Sequence, residues 1–206
     1  MKYVKILGLM AVAAAALMAF AGTASATVLK STGATVPATT ILKASLESGS
    51  TASLADTAGN PIQTCTSSEV EGEIENAGGA SATVSGPVTK LTFSGGATCS
   101  VTVTLVKTDR LEIHHIAGTT NGTLTASGFH VVLHVFGTQC TYGAGASTDL
   151  GTATGATTAT NTGTLATMDV DAIVNRQTGG FLCPTTARWI AKYLVTSPHE
   201  LTVEAS

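Results

Sequence analysis

Apolar and polar residues alternate along most of this chain with a period of two rather than about 3.6, the pattern of strands with one buried face. The cleanest run is Glu69-Val-Glu-Gly-Glu-Ile-Glu75, which sends Val70 and Ile74 inward and Glu69, Glu71, Glu73 and Glu75 outward. Val88 to Ser94 repeats the pattern with Leu91 and Phe93 inside. The central stretch, Thr98 to Phe136, holds three more runs: Val101, Val103 and Leu105; Leu111 and Ile113; and Phe129, Val131, Leu133 and Val135. Leu165 to Val174 sets Thr167, Asp169 and Asp171 on one face. Ala187 to Thr196 sets Trp189, Ala191, Tyr193 and Val195 on one face, and Leu201 to Glu204 closes the chain. Turn residues separate the runs at Asn60-Pro61, Gly78-Gly79, Gly95-Gly96, Asn121-Gly122 and Gln177 to Gly180. Short strands at roughly 8–12-residue spacing predict an all-β protein, an antiparallel β-sandwich or barrel-like sandwich.

Three segments read less regularly. Thr27 to Thr40 is an extended arm rich in Thr and Ala. Ile41 to Asp56 reads as a hairpin, with Leu42, Ala44 and Leu46 on one face and Glu47-Ser-Gly-Ser50 as its turn. Gly143 to Gly163 is nearly all Gly, Ala, Thr and Ser, and is expected to be a loose loop or an edge hairpin. Residues 41–206 then form a single β domain.

Composition strengthens the strand reading. The chain carries 37 threonines, and only 11% of its residues are charged. Threonine is β-branched and favours extended backbone.

The first 26 residues carry a different signal. Lys2 and Lys5 precede the uncharged apolar run Ile6 to Phe20, and Ala24-Ser25-Ala26 is a small-x-small cleavage site. This is the pattern of a secretory signal peptide cleaved after Ala26. The apolar run falls short of the roughly 20 residues a spanning helix needs. The expected product is secreted or extracellular, with no membrane span in the mature chain. Without Lys2 and Lys5, 8 basic residues face 13 acidic ones, a net charge of −5. That balance excludes the basic stripe a nucleic-acid partner requires. The seven aromatic residues left after the signal are too few for the two girdles of a membrane barrel.

Cys65, Cys99, Cys140 and Cys183 make an even set in an exported chain, which predicts two disulfides. Cys65–Cys99 and Cys140–Cys183 are favoured, because nested or crossed pairings need longer closures. No two cysteines stand in the close pairs of a zinc site.

Four of the five histidines fall in Thr98 to Phe136. His114 shares a strand face with Arg110 and Glu112, while His130 and His134 lie opposite Leu133. If those strands are neighbours, His114, His130 and Glu112 are the candidate ligands for zinc or copper. His130 and His134 sit four residues apart, roughly 13 Å along a strand, so they do not share one ion. Asp169-Val-Asp171 is a weaker candidate for calcium, and Trp189 is expected in the core. No Gly-x-Ser-x-Gly elbow, His-Glu-x-x-His or phosphate-cradling loop is present, and no catalytic residue or cofactor is assigned.

Cys140-Thr-Tyr-Gly143, Leu182-Cys-Pro184, Trp189 and Tyr193-Leu-Val-Thr196 followed by Ser-Pro198 resemble motifs of a group of uncharacterised secreted proteins of high-GC Gram-positive bacteria. Cys65-Thr66 and Leu91-Thr-Phe-Ser94 fit the same pattern. The resemblance spans about residues 40–204. It implies export, β structure and paired cysteines, and carries over no functional residue. The expected function is therefore a non-catalytic secreted or cell-surface β module with an extracellular or cell-envelope partner. The alternatives are an extracellular metal-binding protein using the histidine face and a secreted hydrolase built from scattered residues.

Overall fold

The computed structural model describes residues 26–79, 83–105, 109–135, 137–145, 147–156 and 165–206. The predicted signal peptide lies almost wholly outside this set. Every regular element among the described residues is a β-strand. In chain order they are β1 (Thr27–Ser31), β2 (Ala34–Thr35), β3 (Ile41–Leu46), β4 (Ala52–Ala55), β5 (Pro61–Cys65), β6 (Ser67–Glu73), β7 (Val84–Ser94), β8 (Val101–Thr104), β9 (Arg110–His115), β10 (Gly122–Ser127), β11 (His130–Val135), β12 (Thr138–Gly143), β13 (Thr148–Thr154), β14 (Thr167–Thr178), β15 (Thr186–Ser197) and β16 (Leu201–Ala205).

Eight of these strands pair antiparallel in the order β3-β6-β7-β9-β10-β13-β14-β15, and β15 returns to β3. The sheet is thus a closed barrel, the barrel form of the expected β fold. Closure leaves no open edge within it.

β14 and β15 contain 12 residues each, roughly 40 Å of extended chain. Only part of that length serves the barrel. Beyond it, Arg188 to Ile190 of β15 pair with β4, and Asn175 to Thr178 of β14 approach β12. β5 joins β4, while β11 and β8 follow β12. The result is a curved second lobe of order β5-β4-β15-β14-β12-β11-β8. No backbone ladder joins its edges β5 and β8 among the described residues. The Cys65–Cys99 disulfide spans them instead. Gln63 reinforces that seam: its Nε2 donates to the His134 carbonyl at 2.9 Å, and its Oε1 accepts the Ser100 N–H at 2.8 Å. On the far side, Cys140–Cys183 ties β12 to the β14–β15 connection. Both disulfides pair as the spacing predicted, and both lie in the second lobe.

A separate three-stranded sheet, β16-β1-β2, packs against the barrel beside β9. Leu29, Val36, Leu201 and Val203 bury their side chains there, and Thr27 Oγ1 accepts the His115 N–H at 2.9 Å. The segment 27–40 is docked rather than a free arm: β1 pairs with β16 on one side and, after a turn, with β2 on the other.

Two further expectations change. β3 and β4 are not a hairpin: the turn at Glu47 to Ser50 forms, but both strands lie end to end along β15. The chain turns this corner to leave the barrel for the second lobe. β13, in the described part of the low-complexity segment, is a full wall strand between β10 and β14 rather than a loose loop or an edge hairpin; residues 146 and 157–163 of that segment lie outside the described residues. Gly151 makes this possible. It adopts φ +128°, and a Cβ there would stand 2.1 Å from the Asp169 carbonyl oxygen. The resulting register shift turns Leu150 and Ala153 into the core.

The buried side chains form two clusters. One fills the barrel and the space under β1 and β16. The other, around Leu54, Leu133, Tyr142 and Val174, fills the second lobe. Trp189 packs against both.

Candidate functional site

The histidines do not converge. On β9, His114 Nε2 stands 3.7 Å from Glu112 Oε2, and both side chains are partly exposed. β9 pairs with β7 and β10, whereas His130 is on β11 in the second lobe, between Thr104 of β8 and Gly143 of β12. The chain therefore brings His114 and Glu112 together and keeps His130 apart from them. His134 also lies on β11, opposite Gln139. His115 turns toward the loop after β9, where its Nε2 lies 2.8 Å from the Thr119 carbonyl oxygen. No group of three or more His, Cys, Asp or Glu side chains suited to a metal ion occurs among the described residues.

The glutamate stripe is balanced by neighbouring cations. Lys90 bonds Glu69 at 2.6 Å and lies 3.6 Å from Glu71; Lys43 reaches Glu71 at 3.6 Å; Arg110 pairs with Glu75. The Lys90 hydrogen bond holds the Glu69 carboxyl below its ordinary range. At the Asp169-Val-Asp171 pair, Arg188 grips Asp171 through Nε and Nη2, which lowers the Asp171 carboxyl. Asp171 is thus engaged by an arginine. These are exposed pairs, screened by water and weak individually.

Polar groups inside the molecule are few and mostly matched. Ser68 Oγ and Tyr193 Oη lie 2.9 Å apart in the barrel, and burial pushes the Tyr193 phenol up to about 12. Tyr142 donates to the Pro184 carbonyl at 2.9 Å in the second lobe. Trp189 is less well matched. Its ring meets Phe93 edge-on, with centroids 6.2 Å apart, and its buried Nε1–H finds no acceptor among the described residues.

The interior also holds space. A cavity of about 60 Å³ lies in the barrel, walled by Ala44, Val84, Ala153, Ala166, Met168 and their neighbours. Smaller cavities of about 30 and 20 Å³ flank Trp189, and one of about 40 Å³ lies in the second lobe. Their walls are almost entirely apolar. The alternation in the sequence marks Trp189 as a core residue but carries no sign of its N–H environment, of the role of Gln63 or of these cavities. The available signal was the number of small residues on inward faces, Ala44, Ala153, Ala166, Ala172 and Ala191, which fill little of a barrel eight strands around.

Outside, Phe181 is 95% exposed beside half-exposed Leu182, at the tip of the β14–β15 connection. Compared with known proteins, the chain matches no family model, no curated protein and no solved structure.

Proposed function

We propose that this chain is an exported, non-catalytic β-barrel module that acts by binding. The observation that carries the reading is the segregation of its chemistry. Most acids and bases pair with one another on the outer faces, the buried Asp109 lining none of the four cavities, while the space inside the barrel is walled mainly by apolar atoms, with Lys43 and Glu73 the charged residues that border it. A hydrolytic centre needs a nucleophile, a base and a stabilising donor converging on one cleft. Two disulfides and the signal-like leader support an oxidising, extracytoplasmic setting.

Export is tested by expressing the full chain in a Gram-positive host. The protein is expected in the medium, beginning at Thr27 and without free thiols; cytosolic retention with four reduced cysteines contradicts the reading. For the absence of catalysis, the secreted protein is assayed on chromogenic esters, glycosides and peptides beside an H114A/E112Q variant. Equal background rates are expected. Turnover that the double substitution abolishes assigns the protein to enzymes instead.

A further inference from the structure

We infer that the interior of this protein is a binding site for a slender, uncharged, mainly apolar molecule that carries one hydrogen-bond acceptor, received by the Trp189 indole N–H. The inference rests on the reading of a binding module and names the class of its ligand.

Two independent observations lead there. The first is the arrangement of the cavities. The barrel cavity and the next share Val70, Val88, Leu111 and Met168 as walls. That second cavity and the third share Leu91, Phe129, Leu150 and Trp189, and the third meets the second-lobe cavity at Val131, Val174 and Trp189. The spaces form a row from the barrel into the second lobe. They persist because strand pairing closes the wall of the barrel and the Cys65–Cys99 seam closes that of the second lobe, so neither collapses onto the small inward side chains. Each is smaller than the roughly 150 Å³ cavity that admits benzene. A rigid ring system is therefore excluded, whereas an unbranched alkyl chain can thread the row by moving terminal side-chain torsions. Met168 and Leu111, which separate the first two spaces, suit that adjustment, methionine above all.

The second observation is the Trp189 N–H. Buried indole nitrogens ordinarily find a partner, and one without an acceptor calls for an explanation. Trp189 walls three of the four cavities. A water there has few partners: Ser53 and Gln63 are the polar side chains of the second-lobe cavity, Gln63 already spends one N–H and one oxygen lone pair on the seam, and a buried water needs two to four polar contacts, about three on average. A ligand oxygen meets the need directly. Among the described residues, no carboxylate, amine, guanidinium or imidazole lines those three cavities. The acceptor must then be neutral, an alcohol, ether or carbonyl, since an ionised group would be buried without a counter-charge.

Trp189 is the one tryptophan of the chain and reports on its own site. The secreted protein is titrated with decanol, decane and decanoate while Trp189 emission is followed. Decanol is expected to bind saturably and shift the emission to the red as the indole gains an acceptor. Decane and decanoate are expected to bind at least about tenfold more weakly, a difference of one hydrogen bond or one buried charge. Two variants that narrow the barrel cavity, A166L and A153V, are expected to weaken decanol by about tenfold or more, with each variant's circular dichroism and disulfide content confirming its fold. Absence of saturable binding by decanol overturns the inference and leaves packing voids only. So does equal binding by the folded variants. Neither result touches the non-catalytic reading, which fails only if turnover is found.

Discussion

The barrel and the second lobe share β14 and β15, yet they are closed by different means. Around the barrel, each strand finds a backbone partner on both sides, so hydrogen bonding alone completes the circle. The second lobe ends in β5 and β8, and its seam is closed by a disulfide, the Gln63 side chain and a hydrogen bond from the Thr64 N–H to Thr98 Oγ1. A second disulfide, Cys140–Cys183, anchors its opposite side. All four cysteines of the chain serve this lobe and none serves the barrel. Covalent staples thus occur where the strand ladder runs out. The comparison also explains why a chain with so few large apolar residues maintains two cores: the smaller one does not depend on burial alone.

The largest expected effect follows from removing a staple. Cys140–Cys183 closes a segment with a sequence separation of 43, which the chain-entropy estimate values at about 4 kcal/mol. Replacing both cysteines by serine is expected to destabilise the protein by up to that amount in denaturant unfolding. An unchanged midpoint would mean that the second lobe is held by its small core after all.

In the barrel, the corresponding sensitive point is Tyr193. Its phenol stands at about 12 when folded, above the roughly 10 of an unfolded chain, so the native state holds the proton more tightly. The stabilisation is complete below about pH 10 and is lost as pH rises toward about 12, by up to ~3 kcal/mol. Tyr193→Phe is expected to flatten that loss while leaving Ser68 without its buried partner. An identical alkaline profile in the variant would assign the loss to other groups.

A smaller effect is expected at the seam. Gln63→Ala strands the Ser100 N–H and the His134 carbonyl, which costs about 2 kcal/mol. The loss should appear as faster amide exchange at β5, β8 and β11, with β9 and β10 unchanged. Lys90→Ala, which removes the cation beside Glu69 and Glu71, should leave the melting temperature within error at physiological salt, because all three groups stand in water. A clear loss would give the outer charge ladder a structural weight that its exposure denies.

Much of this architecture was legible in the residues. The two-residue period marks the inner faces of β6, β7, β11 and β15, because one face of each strand is buried and the other is wet or less buried. The cysteine pairing follows from short closures. What remained hidden depends on partners distant in sequence. Ser45 and Ser53 both oppose β15, at Leu194 and Ile190, a relation that no property of the 47–50 turn reveals. β13 has little hydrophobic pattern, since Gly151 and Ala153 do their work by being small. The histidine face failed for the same reason: His114 and His130 share a plausible alternation, but strand order puts them in different parts of the sheet. The row of cavities belongs to no single element and arises only when several small inward residues meet around one axis.

The most direct measurement is native-state hydrogen exchange on the purified protein before and after mild reduction. Reduction is expected to expose the amides of β5, β8, β11 and β12 while those of β6, β9, β10 and β13 keep their protection. Simultaneous loss across both groups would show a single cooperative unit and contradict the claim that the barrel closes without the staples.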